Sequence, residues 1–221
     1  MKLSHPVFSE PFSWESGEIH TLVVENPSMY RSLAADLIGQ CSGIPGNFVF
    51  SIDNAEAEFS KHVDVVSDLF SADVCEKRIL NGLHKELSEM AVRELTAEVN
   101  DTYIKINELL SEIIFQSGLE LIHNGKNDIS SIMKLYDLRP DTSGLSLCEK
   151  ILQYMELSEK YRKTKLFILF HVNAFFSEEE LLQLFRAVQY RKINILCYER
   201  YDSKCLEPES KLILDEDLCE I

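Results

Sequence analysis

The pattern of apolar positions near the end of the chain predicts a strand, a helix and a second strand. Residues 165–175 contain a continuous apolar run, which is typical of a strand buried on both faces of a sheet. Ser177 precedes Glu180 by three residues, the spacing of a capping box, and the following helix repeats apolar residues along one face. Residues 193–198 return as a second buried strand. A helix between two buried strands predicts a right-handed parallel crossover.

The opening of the chain has the same strand–helix–strand order. Ile19–Val24 is predicted to be a buried strand, and Asn26 followed by Pro27 marks the start of a helix that ends near Gly43. Residues 48–52 predict another strand. Three shorter elements are also predicted: an edge strand or hairpin within residues 1–14, a short helix at residues 63–70 and a last strand at residues 212–214.

The middle of the chain follows a helical period from Asp73 onward. Its apolar spacing predicts a long antiparallel helical pair with a polar break at Asn100 and Asp101. A shorter helix ends before Pro140, and Ser146 opens the next helix with a second capping box. We therefore predict an α/β fold with a split head domain and an inserted helical leg. The head has a mainly parallel sheet and comprises residues 1–71 and 126–221, and the leg comprises residues 72–125.

The charges are distributed unevenly along the chain. The sequence has 37 acidic and 22 basic residues, a net charge of −15, which argues against a protein that coats nucleic acid with its whole surface. Residues 126–192 nevertheless contain 11 basic and 9 acidic residues, so one part of the chain could present a basic surface. The basic run at residues 160–165 either binds phosphates or is the solvated end of a helix, and the second interpretation is the simpler one.

The sequence lacks the residues that a phosphate-binding loop needs. Such a loop uses glycines for close backbone approach and a lysine for charge, whereas the predicted turn reads Glu25-Asn26-Pro27-Ser28. We therefore expect no nucleotide site and no ATP hydrolysis. No Ser/His/Asp set or paired-carboxylate motif indicates an enzyme, and His171 is interpreted as a hydrogen-bonded core histidine.

The cysteines and the apolar runs bear on where the protein acts. The six cysteines form no close pair with metal-binding spacing, which predicts reduced thiols in a cytoplasmic protein. No apolar run approaches the roughly 18 residues of a membrane helix, and the N-terminal residues contain no apolar signal core. We therefore expect a cytoplasmic location and no membrane partner.

With these elements in place, the chain resembles the small accessory protein of type II-A CRISPR loci, the "Csn-two" family, which takes part in acquiring new spacers. The resemblance covers most of the chain. It rests on the strand at residues 19–25 that leads into a helix, the strand at residues 48–53, the helical insertion, the segment FHVNAFFSEEELLQLFRAV at residues 170–188 and the following INILCYER.

The resemblance implies a specific architecture and function. Members of this family have a head that resembles a P-loop α/β core without a working nucleotide site, together with a helical leg. Four subunits form a homotetrameric ring, which binds the ends of double-stranded DNA in a central hole without sequence preference. Calcium ions stabilise the assembly, no enzymatic activity is attributed to the family, and it acts in bacterial antiviral defence beside the spacer integrase and the effector nuclease.

For this chain, the resemblance implies DNA contacts made by basic residues of the head. The candidates are Lys61, Lys126, Lys134, Arg139, Arg186, Arg191 and Lys192. The corresponding calcium candidates are Glu120, Asn124, Asn127 and Asp128. Because His123, Gly125 and Lys126 interrupt the acidic run and calcium takes about 6–8 oxygen ligands, the site is weaker than in the family, completed from elsewhere, or lost.

Two alternative functions remain open from the sequence. The first is a divergent nucleotide-binding ATPase, since the fold class is one that binds nucleotides. The second is a structural adaptor without DNA binding, whose acidic leg binds a basic partner protein. The simplest interpretation of the leg itself is a helical pair that buries its apolar seam against a neighbouring subunit.

Overall fold

The computed structural model describes residues 1–125 and 128–221 of the chain. They form two compact units, Met1–Val74 with Thr142–Ile221 and Cys75–Asp141. The strands, all in the first unit, are β1 (Lys2–Ser4), β2 (Phe12–Ser13), β3 (Ile19–Val24), β4 (Val49–Ile52), β5 (Ala55–Glu56), β6 (Val63–Val66), β7 (Leu166–Phe170), β8 (Ile195–Glu199) and β9 (Ser210–Leu214). The helices are α1 (Pro27–Cys41), α2 (Phe59–His62), α3 (Lys77–Glu94), α4 (Thr96–Ser117), α5 (Ile129–Leu135), α6 (Leu147–Arg162), α7 (Val172–Phe175) and α8 (Glu178–Tyr190), of which α3, α4 and α5 form the second unit.

A five-stranded parallel sheet is the centre of the first unit. Its strand order is β6-β7-β8-β3-β9, and every neighbouring pair is parallel. β7 and β8 are buried along their whole length, as expected for strands covered on both faces. The crossover from β7 through α8 to β8 confirms the prediction from the apolar pattern. The α/β fold class with a parallel sheet that is split in sequence is confirmed as well.

Local sequence signals explain where the helices of this sheet begin. Ser177 caps α8: its backbone N–H donates to Glu180 Oε2 at 2.8 Å, and the backbone N–H of Glu180 donates to Ser177 Oγ at 3.4 Å. Ser146 and Glu149 make the same reciprocal pair at the start of α6. Each box satisfies N–H groups that the first helical turn leaves without partners. Both predicted capping boxes are therefore confirmed.

A smaller antiparallel sheet, in the order β2-β1-β4-β5, packs beside the parallel one. The pairing of β1 with β2 confirms the predicted N-terminal hairpin. The strand–helix–strand order at the start of the chain is also present, but β4 pairs antiparallel with β1 and does not join the parallel sheet. A core of side chains from both sheets and α1 lies between them, and the indole N–H of Trp14 donates to the Ile195 carbonyl at 3.2 Å.

The predicted helix at residues 63–70 is wrong. Val63–Val66 is the edge strand β6, and Val63 pairs in parallel with Leu166 of β7. Three of its four residues are valines, whose β-branched side chains favour strands. Only the last part of the segment, Leu69–Ser71, is helical, as a short 3-10 turn. Pairing with a strand far along the chain therefore overrides the local pattern.

The second unit consists of three helices. α3 and α4 are separated by the single residue Leu95, whereas the polar break was expected at Asn100 and Asp101. α5 is tied to α3, because His84 Nε2 lies 2.6 Å from the Leu138 carbonyl oxygen and Ser88 Oγ contacts Met133 Sδ at 3.9 Å. This contact extends the compact unit to residue 141, whereas the predicted leg ends at residue 125.

Among residues 1–125 and 128–221, no helix combines the length and the apolar character that crossing a lipid bilayer requires.

Candidate nucleic-acid interface

Basic side chains gather where the parallel strands β6, β7 and β8 begin. Lys61 and His62 precede β6, Lys163 and Lys165 precede β7, and Lys192 lies before β8. The first two pairs are adjacent, because the Lys165 N–H donates to the His62 carbonyl at 2.7 Å and His62 Nδ1 lies 3.4 Å from the Lys163 carbonyl oxygen. We call these five residues the amino-edge cluster. It is a basic strip along one edge of the sheet.

The topology of the sheet explains why these residues are basic. α6 and α8 both end at the amino edge, where the carboxyl ends of helices carry partial negative charge that favours cations. Lys163 follows α6 with φ of 63°, and Lys192 follows α8 with φ of 58°. These left-handed residues turn the chain from helix to strand, and both lysine side chains are exposed. The same joints that end the helices thus place ammonium groups in solvent.

The predicted DNA-binding residues of the first unit differ in whether a neighbouring carboxylate already neutralises them. Lys61 is exposed but contacts the Glu58 carboxylate at 2.5 Å. Arg191 pairs with Glu156 at 2.8 Å and is partly neutralised. Arg186 is exposed on α8, and none of the described side chains forms an ion pair with it. Lys61 and Lys192 therefore belong to the cluster, whereas Arg186 and Arg191 lie on the outer side of α8 and at its end.

Two predicted DNA-binding residues lie in the other unit. Lys134 is on α5 and Arg139 follows it, so both belong to the helical unit and not to the head as predicted. The packing of α5 on α3 causes this difference. Arg139 pairs with Asp137 at 3.3 Å. Lys126, the remaining candidate, lies outside the described residues.

Lys163 and Lys165 are the lysines of the cluster that the sequence-based selection missed. Both lie in the basic run at residues 160–165, which was interpreted as a solvated helix end. Arg162 of the same run has a different role. Its Nη1 donates to Asp64 Oδ2 at 3.0 Å and to Tyr154 Oη at 2.8 Å, and the Tyr154 hydroxyl donates to Asp64 at 2.6 Å. Arg162 therefore joins α6 to β6 inside the protein.

The opposite, carboxyl edge of the sheet is acidic. Several carboxylates follow the ends of strands or begin helices there, namely Glu25, Asp68, Glu178, Glu179, Asp202, Asp215 and Asp217. A phosphate loop would lie at the start of α1, but the backbone N–H groups there already bond to a side chain of this protein. Asn26 Oδ1 accepts from the backbone N–H of Ser28 at 3.0 Å and of Met29 at 3.1 Å. Those donors are therefore not available to a phosphate group.

Glu199, at the end of β8, is the buried carboxylate of this edge. Only 4% of it is exposed, and it accepts a hydrogen bond from the Asn173 N–H at 3.0 Å. Burial raises the pKa of Glu199 to about 7, and hydrogen bonds from the backbone of Asn173 and Val172 oppose that shift. Glu199 thereby holds the start of α7. His171 Nε2 lies 3.1 Å from the Tyr30 hydroxyl, as expected for a hydrogen-bonded histidine, although its side chain is only partly buried.

The predicted calcium ligands are spread over a loop and a helix start. Glu120 and Asn124 are exposed, and Asp128 caps α5 by accepting from the Ser130 N–H at 3.1 Å and the Ser131 hydroxyl at 2.5 Å. The hydrogen bond from Ser131 lowers the pKa of Asp128. Asn127 lies outside the described residues. Within the described ranges, no three His, Cys, Asp or Glu side chains group closely enough to hold a metal ion, and the calcium site stays a prediction.

These features define a class: an α/β protein with a parallel sheet, a helical insertion, a self-capped helix in place of a phosphate loop, and a basic strip at the amino edge. The model of the CRISPR-associated protein (Cas_Csn2) family matches residues 40–218. The chain belongs to this family, which confirms the resemblance found in the sequence.

Two solved structures match this chain. The crystal structure of Stu0660 of Streptococcus thermophilus matches with a TM-score of 0.60 and 11% identity, over 97% of this chain and 75% of that chain. At this identity the match shows the shared fold. The structure of cbiO1 from Clostridium perfringens, part of the ABC transporter complex cbiONQ, has a TM-score of 0.46 and 14% identity over 87% of this chain and 70% of that chain. That similarity is too low to support an argument about function.

Proposed function

We propose that this CRISPR-associated protein forms a ring and binds the ends of double-stranded DNA without sequence preference during spacer acquisition. It has no enzymatic activity of its own and works in the cytoplasm beside the spacer integrase and the effector nuclease. The observation that carries the proposal is the amino-edge cluster, a basic strip in a protein of net charge −15. Lysine contacts to backbone phosphates are independent of base sequence and sensitive to salt.

The separation of charges makes such binding possible despite the acidic net charge. β7 and β8 each have five residues, so the two edges of the sheet are about 16 Å apart along a strand. This exceeds the Debye length of about 8 Å at physiological ionic strength. A phosphate beside Lys163 and Lys165 is therefore largely screened from the carboxylates at the other edge. It lies two strands away from Glu15 and Glu18, the carboxylates that precede β3 on the same edge.

A homotetramer would combine these modest sites. One protomer offers only a few unpaired lysines, but linked copies on one duplex act together and raise the overall affinity without new contacts. The exposed apolar side chains of α4 support self-association, because isolated exposed leucines are ordinary whereas a row along one helix is not. The exposed residues Ile106, Leu109, Leu110 and Ile113 recur at i, i+3, i+4 and i+7, so they form such a row on one face of α4. We propose that they bury against another subunit.

The two alternatives are less well supported. A divergent ATPase needs free N–H groups at the start of α1, and Asn26 occupies those of Ser28 and Met29. An adaptor that binds only proteins would not need lysines from three separate connections at one edge of the sheet. Neither alternative explains why Lys61, Lys163 and Lys165 come together.

The test compares linear double-stranded DNA with covalently closed circular DNA of the same sequence in a gel-shift assay. Mass is measured in parallel by light scattering, and both assays are run with and without calcium. We expect a tetramer that retains linear DNA only, as threading through a ring requires. Equal retention of both forms would contradict the ring and indicate an open basic surface, and retention of neither would favour the adaptor. A change in mass or retention on adding calcium would support the calcium site.

A further inference from the structure

The outer edge of β9 is only partly covered. Residues after β9 turn back and pair with it: the N–H and carbonyl of Ile213 bond to Ile221, and the Asp215 N–H donates to the Cys219 carbonyl. Backbone groups alternate in direction along a strand. The N–H and carbonyl of Lys211 therefore point to the same outer edge as those of Ile213. None of the described residues forms a hydrogen bond with them.

A groove lies next to this returning segment, along the outer edge of β9. It runs between β2 of the antiparallel sheet and residues 210–212 of β9, and we call it the edge groove. Its two compartments have volumes of about 700 Å³ and about 280 Å³, and Ser13, His20 and Ser210 line both. β2 is itself an edge strand, paired only with β1. The groove thus lies between two strand edges, and the outward Ser13 carbonyl of β2 is already bonded to His20 Nε2 at 2.9 Å, so the unused backbone groups are those of Lys211.

The rim of the edge groove is mainly acidic. Glu10, Glu15 and Glu18 line it with exposed side chains. Lys2 is an exposed cation on the same rim. Lys211 contributes no free cation, because its ammonium group bonds to Asp202 at 3.0 Å and to the Ser203 carbonyl. The unpaired side chains of the rim therefore favour a basic ligand.

We propose that the edge groove binds an extended, lysine- or arginine-bearing peptide segment of a partner protein, which adds to β9 as a strand. Strand addition takes its affinity from backbone hydrogen bonds and its specificity from side chains at alternate positions. The chain's own segment at residues 219–221 runs antiparallel to β9, as the bridge between Leu214 and Glu220 shows. The partner strand follows the same direction and bonds to Lys211. Its cations face Glu10, Glu15 and Glu18.

The test uses a fluorescein-labelled eight-residue peptide of alternating valine and lysine, and the full-length protein, in fluorescence polarisation. The Lys211→Pro variant removes the outward N–H, and proline is tolerated at edge strands where that group makes no bond. Lys211→Ala is the matched control, since it removes the side chain but keeps the N–H. We expect Lys211→Pro to bind the peptide at least about tenfold more weakly than Lys211→Ala, the effect of one lost backbone bond to a buried strand.

Charge provides an independent test that does not depend on the proline variant folding. An alternating valine–glutamate peptide should bind at least about tenfold more weakly than the lysine peptide. The double variant Glu10→Lys with Glu15→Lys should instead bind the glutamate peptide more tightly than the lysine peptide. No binding of the lysine peptide, or equal affinity for both peptides, overturns the proposal. A loss of oligomer mass in Lys211→Pro alone would identify the occupant as a second copy of the chain, which also overturns it.

Discussion

The two ends of strands β6, β7 and β8 carry opposite charge although the same strands form both, whereas the amino end of β3 is acidic through Glu15 and Glu18. Lys61, Lys163 and Lys165 lie at the amino edge, whereas Glu25 and Glu178 lie at the carboxyl edge. In a parallel sheet each covering helix begins at the carboxyl edge and ends at the amino edge, so the helix dipoles favour acidic residues at one edge and basic residues at the other. The net charge of −15 therefore says little about what one edge can bind.

The largest expected effect comes from reversing the amino edge. Lys61→Glu, Lys163→Glu and Lys165→Glu together should weaken binding of linear double-stranded DNA by about 1,000-fold, because three phosphate contacts become repulsive in every protomer. The slope of log K against log salt should fall by about 3 for each protomer that contacts the duplex, roughly one for each lysine. Both quantities are measured by filter binding at several salt concentrations.

A matched control has the same change in net charge at another place. Lys85→Glu, Arg93→Glu and Lys105→Glu reverse three exposed residues of α3 and α4. We expect DNA affinity to change by less than about tenfold, because these charges do not belong to the amino-edge cluster and are screened in solvent. Equal losses in the two triple variants would show that net charge, and not the amino edge, governs binding.

The second prediction separates structural from DNA-binding residues within the same basic run. Arg162→Ala leaves Asp64 without its cation, and the Arg162 and Asp64 side chains are only 16% and 13% exposed. Removing one partner of a buried ion pair costs about 4 kcal/mol, so we expect a similar loss in the free energy of unfolding measured with urea. Lys163→Ala, at an exposed position, should cost no more than about 0.5 kcal/mol. A small loss in Arg162→Ala would mean that Arg162 is not structural.

The third prediction concerns pH at the carboxyl edge. Because burial raises the pKa of Glu199 from 4.5 to about 7, the folded state binds its proton more tightly than the unfolded state does. This contribution to stability is complete below pH 4.5 and is lost as the pH rises through 7. At pH 8, the free energy of unfolding of Glu199→Gln should therefore exceed that of the unsubstituted protein by up to about 3 kcal/mol. Urea unfolding measures this difference. Near pH 5 the two proteins should differ little.

The exposed residue Glu179 provides the control for that experiment. Glu179→Gln should leave the dependence of unfolding on pH unchanged. If Glu199→Gln has the same pH dependence as the unsubstituted protein, the Glu199 carboxyl group titrates elsewhere and the burial argument fails.

The smallest predicted effect is at the start of α1. Asn26→Ala removes the cap on Ser28 and Met29 and should cost about 1 kcal/mol in the free energy of unfolding, whereas Asn26→Asp should keep most of it. Thermal unfolding measures both. Neither variant should bind ATP in isothermal titration calorimetry, because the turn before α1 still lacks the glycines and the lysine of a phosphate-binding loop. ATP binding by Asn26→Ala would show that the cap alone blocks a nucleotide site.

The elements that local sequence signals indicate were predicted correctly. The start of α8 is set by Ser177 with Glu180, and the start of α1 by Asn26 with Pro27. In both cases the residues that cap the helix are next to its first turn or within it. The buried strands β7 and β8 were recognisable from continuous apolar runs. The family resemblance rested on the same local segments, so it needed no knowledge of tertiary contacts.

Most of the errors involve partners far away in sequence, although the break between α3 and α4 was misplaced locally, at Asn100 and Asp101 instead of Leu95. β6 looked helical because nothing near residues 63–66 shows that it pairs with β7. Lys163 and Lys165 are exposed at the end of α6, as the sequence predicted, and only the bond between Arg162 and Asp64, 98 positions apart, distinguishes Arg162 from the two lysines. The packing of α5 on α3 likewise moved Lys134 and Arg139 out of the predicted head. The sequence contains the lysines of the site but not the strand order that collects them.

The strand order also determines when the first unit can fold during synthesis. β3 is made early, yet its two neighbours, β8 and β9, are the last two strands in sequence. At about 5–20 residues per second, a ribosome needs roughly 10 s or more to deliver them. Throughout that time the apolar strand β3 has no partner on either side. The parallel sheet therefore cannot close around β3 until both late strands have been made, and β3 is exposed to aggregation until then.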